Sequence, residues 1–418
     1  MNIFFRSSAV VKHLFLLILI VSPAFAGADE LCGLPPELLP PPDSGQKCYD
    51  PGPADETGKD PKKVTDTEEK KKEDEEKEEE KDKDSGIVAF PIAFYTSDTS
   101  FGFGGTAILF KKSYETEEEK RSDSFTTVLF YTLNNQILNA NAGTLYMDNG
   151  NFKANAVFVV SKYPDEFYGI GPDSGWDDGE KYTPLTIKGE VTFSGRIWEK
   201  IYGGLTVLQG YHELMKYDRN GVLADYLRDN RTDGFFSGLG LQFTRDSRDN
   251  SLYPRTGAVT TLSVLSFNRL LMSDYTFSTL LFDHRQYHSL PLDSVIAWQL
   301  HLNSVLTGKP PLPYLPALGS QNLMRGYPQN RYRDRNFMAA QVEWRVPIWW
   351  RFGAVVFAGL GTVKGSLDDY LFTDPKFAAG AGLRITLSKK NNINFRFDFG
   401  MSAERPYLKL YFNLLEAF

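Results

Sequence analysis

Residues 336–346 read Asn-Phe-Met-Ala-Ala-Gln-Val-Glu-Trp-Arg-Val, and apolar and polar side chains alternate along most of this stretch. Five apolar residues occupy every second position, namely Met338, Ala340, Val342, Trp344 and Val346. The positions between them carry Gln341, Glu343 and Arg345. Because successive side chains of a β-strand point to opposite faces, this period of two predicts a strand with one apolar and one charged face.

The same alternation recurs after residue 86, for example in 183–197, 294–306 and 392–400. A soluble β-sandwich would also alternate, but three features favour a membrane barrel. Full charges lie in mid-strand on the polar face, which suits a wet lumen. Aromatic residues, 53 of the last 332, often lie near predicted strand ends, as at bilayer interfaces. The chain also ends on an aromatic residue, Phe418.

We therefore predict an all-β fold, a transmembrane antiparallel β-barrel of about 16 strands. The predicted strands are 87–95, 102–110, 124–132, 136–147, 151–162, 183–197, 201–211, 234–244, 257–268, 274–288, 294–306, 336–347, 352–364, 376–387, 392–400 and 406–414. Connections after even-numbered strands are mostly short and several after odd-numbered strands are long, which is typical of periplasmic turns and outer loops. The exception is Lys111–Asp123, a long charged connection that falls on the periplasmic side.

The chain before the barrel has two predicted parts. Residues 1–26 have a basic start, an apolar core and small residues at Ala24 and Ala26, which predicts a cleaved export signal. Residues 27–86 are half charged and are predicted to be a disordered periplasmic tether, either a plug or docking arm or a plain spacer. Cys32 and Cys48 lie there, and both a disulfide and two free thiols are compatible with an exported chain.

Composition alone would have pointed away from a membrane. The formal net charge is −7 and the mean hydropathy is −0.33. The tether carries −10 of that charge, the signal +2 and the barrel region, 87–418, only +1. No apolar run of about 18 residues follows the signal, which excludes a bundle of transmembrane helices but not a barrel.

Two motifs, in this order, resemble the BamA/TamA-type outer-membrane barrel superfamily, also called the bacterial surface antigen family. The first is a turn motif made of Asp246, Arg248, Asp249, Pro254 and Gly257. The second is Arg325-Gly326-Tyr327 in the long connection before the twelfth strand. The resemblance covers residues 87–418. It implies five further strands after the second motif and a last strand that ends in Phe418, with Tyr407, Phe412 and Phe418 as the C-terminal barrel signal.

The resemblance also implies a lock inside the lumen. The long loop would fold back so that Arg325 reaches Glu343 on the twelfth strand, with Gly326 allowing a tight bend and Tyr327 wedging the loop. The family's second acid, expected on the thirteenth strand, has no counterpart in residues 357–361. We therefore expect a lock with at most one of its two acids, acting as a structural staple or, alternatively, as a moving gate.

The implied function is insertion or translocation of protein or lipid at the outer membrane of a Gram-negative bacterium, through a weak seam between the first and last strands. The implied partners are outer-membrane lipid and lipopolysaccharide, the barrel-assembly machinery during biogenesis, and an unknown periplasmic or secreted client. One departure is that the tether cannot fold into the periplasmic POTRA domains that receive clients. The alternative is a passive channel or structural barrel with the tether as plug or docking arm.

Enzyme chemistry finds little support. His212, His284, His288 and His301 are scattered, without the spacing of a metal site. His301, Asn303 and Ser304 could suggest a hydrolase, but strand parity points Ser304 away from the other two. We predict no catalytic residue, metal or cofactor. Because basic runs are absent, we expect no nucleic-acid partner either.

Overall fold

The computed structural model describes residues 85–96, 100–115, 120–177, 179–250, 253–366, 374–388, 393–405, 408–414 and 416–418. The predicted signal, the tether up to residue 84, Cys32, Cys48 and Tyr407 lie outside the described residues. The first strand begins at Ser85, two residues before the predicted start of the barrel.

Sixteen antiparallel strands form a closed barrel, which confirms the predicted fold class. They are β1 (Ser85–Thr96), β2 (Ser100–Glu115), β3 (Lys120–Thr132), β4 (Ile137–Met147), β5 (Phe152–Lys162), β6 (Glu180–Trp198), β7 (Ile201–Lys216), β8 (Gly234–Asp246), β9 (Gly257–Phe267), β10 (Phe277–Ser289), β11 (Val295–Gly308), β12 (Asn336–Trp349), β13 (Phe352–Lys364), β14 (Lys376–Ser388), β15 (Ile393–Ser402) and β16 (Lys409–Leu414). Each strand pairs with its neighbours in sequence, and β1 pairs with β16.

The connections differ in length between the two ends of the barrel. The longest ones, 163–179, 217–233 and 309–335, all lie at the end that we assign to the outside. The expected exception is wrong, because β2 continues to Glu115 and β3 already begins at Lys120. The backbone hydrogen bonds of a hairpin do not depend on the polarity of its side chains. The two strands therefore continue through the charged residues.

Side-chain direction follows the predicted parity. On β12, Val342 and Trp344 are 43% and 49% exposed on the outer wall, whereas Glu343 and Arg345 are buried in the lumen. Buried residues elsewhere on this strand, such as Gln341, share the lumen face. The apolar band and the charged lumen are thus built from one alternating pattern.

The lumen is filled by the chain itself. Residues 309–335, here called the lumen loop, fold inward and carry a 3-10 turn, Leu312–Tyr314, and a short strand pair, Ala317–Leu318 with Tyr332–Arg333. Apolar residues of this loop pack against the inner faces of β12, β13 and β14. A short helix, α1 (Val222–Asp229), lies in an outer connection. No helix in the described part of the chain is long and apolar enough to cross a membrane.

Outer loops close the barrel above the lumen loop. The Arg331 guanidinium lies 4.5 Å, 4.4 Å and 4.1 Å from the rings of Tyr168, Trp176 and Tyr332. Arg333 donates a 2.6 Å hydrogen bond to Asp165. Tyr332 donates a 2.5 Å hydrogen bond to Glu404, and burial together with this hydrogen bond raises the pKa of the Tyr332 hydroxyl.

A new charge should lower the free energy of unfolding more on the outer face of the barrel wall than on the lumen face. Leu241 lies in the middle of β8 and faces outward, whereas the next residue, Gln242, faces the lumen. Leu241→Arg should lower the free energy of unfolding in liposomes by about 2–4 kcal/mol, because it places a guanidinium in the hydrocarbon. Gln242→Arg is the matched control and should cost much less in the same urea titration. Equal costs would contradict the assignment of the two faces.

Candidate functional site: the lumen loop and the seam

The tip of the lumen loop is fixed by one buried arginine. Arg325 donates to Asp398 on β15 at 2.5 Å and also to Glu343 on β12. Its guanidinium carbon lies 3.6 Å from the centre of the Phe357 ring on β13. All three charged side chains are fully buried. Charge-assisted hydrogen bonds of this kind are strong and directional, so they define the position of the loop.

The expectation of at most one acid in the lock is wrong. The structure brings Arg325 together with two carboxylates, and the second comes from the fifteenth strand rather than the thirteenth. The thirteenth strand contributes the face of the Phe357 ring instead. Asp398 lies on the polar face of the alternating stretch 392–400. The sequence could not show that the loop crosses far enough to reach β15.

Two glycines allow the loop tip to lie against β15. Gly326 has φ +118°, and a Cβ there would lie 2.5 Å from the carbonyl carbon of Met401. On the strand side, a Cβ at Gly400 would lie 2.9 Å from the backbone of Arg325 and Gly326. The bend expected at Gly326 is therefore also a close approach of two backbones.

The residue after the bend, Tyr327, is fully buried, and its hydroxyl donates to the carbonyl of Phe377 on β14 at 3.2 Å.

The loop is also attached to the last strand. The Gly326 N–H donates to the hydroxyl of Tyr411 on β16 at 3.1 Å. The Tyr411 ring is buried, so this contact lies inside the barrel beside the seam.

Four guanidiniums and three carboxylates form a continuous network around Arg325. Glu343 also accepts from Arg345 at 3.0 Å, and Asp398 also accepts from Arg384 at 2.6 Å. Arg384 and Arg345 in turn lie 2.6 Å and 3.9 Å from the same oxygen of Glu416. Three arginines and three acids thus alternate in a closed ring, which we call the charge ring. Arg396 lies beside it, 3.5 Å from Asp398.

Glu416 belongs to a segment that leaves the barrel wall. The expectation of a last strand ending in Phe418 is wrong, because β16 ends at Leu414 and Glu416–Phe418, here called the tail, turns into the lumen. The carbonyl of Phe418 accepts from Arg345 at 2.6 Å. Phe418 and Ala417 pack against Tyr287 and Ala297 on β10 and β11.

The predicted turn motif lies in the connection between β8 and β9. Arg248 donates two hydrogen bonds to Asp246, at 3.1 Å and 2.9 Å. One oxygen of Asp249 accepts from the backbone N–H groups of residues 250, 255 and 256. Pro254 is buried, and Gly257 has φ +91° with no room for a Cβ beside Ser247. These five residues shape one turn between the two strands.

The histidines take structural positions. His301 forms a 2.8 Å contact with Asp283, which also accepts from Gln299 and Arg285. His212 and Thr186 form a hydrogen bond between their side chains. Among the described residues, no three His, Cys, Asp or Glu side chains are grouped as metal ligands.

In the described part of the chain, the seam between β1 and β16 has fewer register pairs than any other strand pair of the barrel. Two register pairs join these strands in the described part of the chain, Tyr95 with Phe412 and Thr96 with Tyr411. The next smallest number is six, between β15 and β16. Phe412 rests on Phe397 and Tyr95, with ring centres 4.5 Å and 5.7 Å apart. β1 pairs with β2 from Ser85 to Thr96. Among the described residues, its other edge has register partners at Tyr95 and Thr96 alone, which leaves residues 85–94 of that edge without a strand partner.

The Omp85 superfamily domain matches residues 114–418. The chain belongs to the Omp85 superfamily. Omp85 membership and the 16-strand barrel place the protein in the outer membrane of a Gram-negative bacterium, as predicted from the sequence. Among curated proteins, none matches.

Solved structures with a similar fold include BamA and CdiB proteins. BamA from Haemophilus ducreyi lacking POTRA domains 1–3 aligns with TM-score 0.56 and 13% identity, over 79% of this chain and 70% of that one. CdiB from Acinetobacter baumannii and from Escherichia coli align with TM-scores 0.50 and 0.51, each at 12% identity over 79% of this chain. This chain spans 59% and 62% of the two CdiB chains. At these identities the likeness concerns the fold.

Replacing the central arginine tests the lock. Arg325→Ala should leave Glu343 and Asp398 buried without their shared partner, at a cost of about 3–5 kcal/mol. We expect proteinase K to cut residues 319–335 faster in folded Arg325→Ala barrels. Arg335→Ala is the control, because Arg335 lies in the same loop and donates to the backbone carbonyls of Gly308 and Val305. Identical digestion of Arg325→Ala and the parent would refute the lock.

The close approach of the two backbones gives a second test. Gly326→Ala should push the loop away from β15, since its new Cβ would overlap Met401 backbone atoms. We expect a lower thermal midpoint and faster loop cleavage. Gly365→Ala is the control, because a Cβ there would meet nothing closer than 3.6 Å. An unchanged midpoint for Gly326→Ala would show that the loop tip does not rest on β15.

Proposed function

We propose that this protein inserts client β-strands into the outer membrane by pairing them with the free edge of β1. Membership of the Omp85 superfamily supports the general role, insertion or translocation at the outer membrane. The observation that carries the specific role is the seam with two register pairs. The partners follow from this role: outer-membrane lipid around the wall, a client chain at the seam, and the barrel-assembly machinery while this barrel is itself made.

The physical argument concerns backbone hydrogen bonds. Inside a bilayer an unpaired N–H or C=O group has no water to bond, and each such group costs several kcal/mol. In the described structure, residues 85–94 of β1 have no strand partner on the edge that faces β16, so backbone N–H and C=O groups on that edge are unpaired. Pro91 lies in this stretch, and proline in sheets is found mainly on edge strands. An incoming strand would satisfy these groups by β-augmentation.

The filled lumen favours insertion at the seam over passage through the barrel. The lumen loop and the tail cross the interior and are fixed by buried ion pairs. Apolar side chains of β3 and β4 also pack together on the lumen face next to the seam. A translocated chain would have to displace these contacts, whereas a strand entering at the seam would not. The same contacts weigh against an open passive channel in this state.

A reversible cross-link tests the proposal. In a Cys32→Ser, Cys48→Ser background, Tyr95→Cys with Phe412→Cys should form a disulfide across the seam, because these residues are register partners. We expect proteoliposomes with the reduced protein to speed the folding of a client barrel over empty liposomes. Oxidation should abolish the acceleration and reduction should restore it.

The matched control places a disulfide across two strands that are already paired along their length. Ala358 and Ala379 are register partners on β13 and β14, and both face outward. A disulfide between cysteines at these positions should leave client folding unchanged. Full activity with an oxidised seam would refute insertion at β1. Planar-bilayer current from the parent, with or without residues 27–86, would favour the channel alternative.

A further inference from the structure

We propose that the outer wall of β2, β3 and β4 is an interface through which two copies of this chain associate within the membrane. The interface is formed by six outward residues, here called the amide face, namely Gly105, Ala107, Thr127, Asn139, Asn141 and Gly143. This inference does not rest on the proposed function, because it concerns the outer wall rather than the edge of β1.

Strand parity places the β4 part of the amide face on the outer wall. Ile137 is 43% exposed at the start of β4, and Asn139, Asn141 and Gly143 follow it in steps of two residues. Leu138, which lies between Ile137 and Asn139, is buried on the lumen face. The two carboxamides therefore point away from the lumen.

The neighbouring strands carry the rest of the amide face. Register partners point to the same side of a sheet, so Thr127 opposite Asn141 and Ala107 opposite Thr127 also point outward. Leu129, two residues from Thr127, is 55% exposed, and its register partner on β2 is Gly105. Three adjacent strands thus present small or polar side chains to the membrane.

The asparagines lie deep in the membrane. Asn141 is six residues from Met147, the periplasmic end of β4. A strand tilted by about 45° rises roughly 2.4 Å per residue, so Asn141 lies roughly 14 Å above that end. The apolar band of such a barrel is about 25 Å tall, which places Asn141 near its middle.

The polar side chains of the amide face form a ladder with donors left over. The Thr127 hydroxyl donates to Oδ1 of Asn141 at 2.8 Å, and Nδ2 of Asn141 donates to Oδ1 of Asn139 at 2.9 Å. Nδ2 of Asn139 donates to the carbonyl of Val128 at 3.2 Å. A carboxamide nitrogen carries two N–H donors. In the part of the chain that the structure describes, each asparagine therefore keeps one N–H without an acceptor.

Lipid offers these donors no partner at this depth. Hydrocarbon tails contain no hydrogen-bond acceptor, and a polar group left unpaired among them is costly. On β8 and β9 the wall carries large apolar side chains instead, such as Leu239, Leu241 and Val264, which are 38%, 54% and 39% exposed. The spare N–H groups therefore indicate a membrane-embedded protein that supplies acceptors.

A second copy supplies those acceptors at the right depth. Two copies inserted in the same direction are related by a two-fold axis along the membrane normal, so each residue meets its counterpart at its own depth. The Oδ1 atoms of Asn139 and Asn141 each accept one hydrogen bond in the ladder and can accept a second. Each amide thus has one donor and one acceptor to exchange with its copy. The small side chains at Gly105, Ala107 and Gly143 let the two walls approach closely.

Energy transfer between copies in liposomes tests the interface. Fluorescent labels are attached to Cys48 in a Cys32→Ser background, and copies that carry donor and acceptor labels are mixed. We expect energy transfer that rises with the protein-to-lipid ratio until it saturates, and that falls when unlabelled protein is added. No transfer at any ratio would overturn the association of two copies. A photo-crosslinker at position 143 in native membranes would then distinguish another membrane protein from lipid as the cover of this face.

Asn139→Leu/Asn141→Leu removes the donors and acceptors of the ladder. We expect the dissociation constant between copies to rise at least tenfold. Because leucine suits a side chain that faces lipid, the midpoint of urea unfolding at high dilution in lipid should not fall. A ladder that only supports its own barrel predicts the opposite, a lower midpoint with unchanged energy transfer, and that result would overturn the proposal.

Matched variants on β8 and β9 make the result specific. Leu239→Ala/Leu241→Ala changes two outward positions with the same spacing and should leave the dissociation constant unchanged. Ala107→Phe adds an apolar ring to the amide face and should weaken association several-fold, whereas Val264→Phe adds one to an outward position of β9 and should not. Equal association of the Ala107→Phe and Val264→Phe proteins would show that the copies do not meet at the amide face.

Discussion

The structure depends on the neutralisation of one buried guanidinium. Arg325 lies at the end of a long loop, away from water, and its charge is tolerated because Glu343 and Asp398 bind it and Phe357 lies under it. Removing a charge from water costs several kcal/mol, and good geometry must recover that cost. Three strands and the loop therefore have to be in register at the same time. The lumen loop is in consequence part of the barrel's folded core.

The acids that bind Arg325 extend its influence to the seam. Glu343 and Asp398 are shared with Arg345 and Arg384, and these bind the tail after β16. Gly326 is bonded to Tyr411 on β16 itself. The last strand is thus fixed from inside the barrel, while two register pairs join it to β1 in the part of the chain that the structure describes. Tyr411 takes part in both, because its hydroxyl is bonded to the lumen loop and its backbone is in register with Thr96.

Much of the fold could be predicted because the strands of a membrane barrel share one local pattern, the alternation of apolar and polar side chains. Alternation gave all sixteen strands and the faces of Glu343, Gln341 and Arg345. Strand ends were less certain, as at Glu115, where pairing overrides side-chain polarity. At the last strand the alternation predicted the end at Leu414, whereas the resemblance implied an end at Phe418. The ordered motifs indicated the superfamily and the loop arginine. They indicated Glu343 as one partner of that arginine but not Asp398, because contacts between residues 325 and 398 depend on how far a loop crosses the lumen. Glu416 and Tyr411 carried no sequence signal beyond their position near the last strand.

The central claim is that Arg325 and Glu416 belong to one network although other residues separate them. A double-mutant cycle with Arg325→Gln and Glu416→Gln, measured as the free energy of unfolding in liposomes, tests this most directly. The account predicts a coupling energy of about 0.5–3 kcal/mol, since the two residues share partners in the charge ring. Additive effects within about 0.3–0.5 kcal/mol would contradict it and would show that the loop lock and the tail are independent.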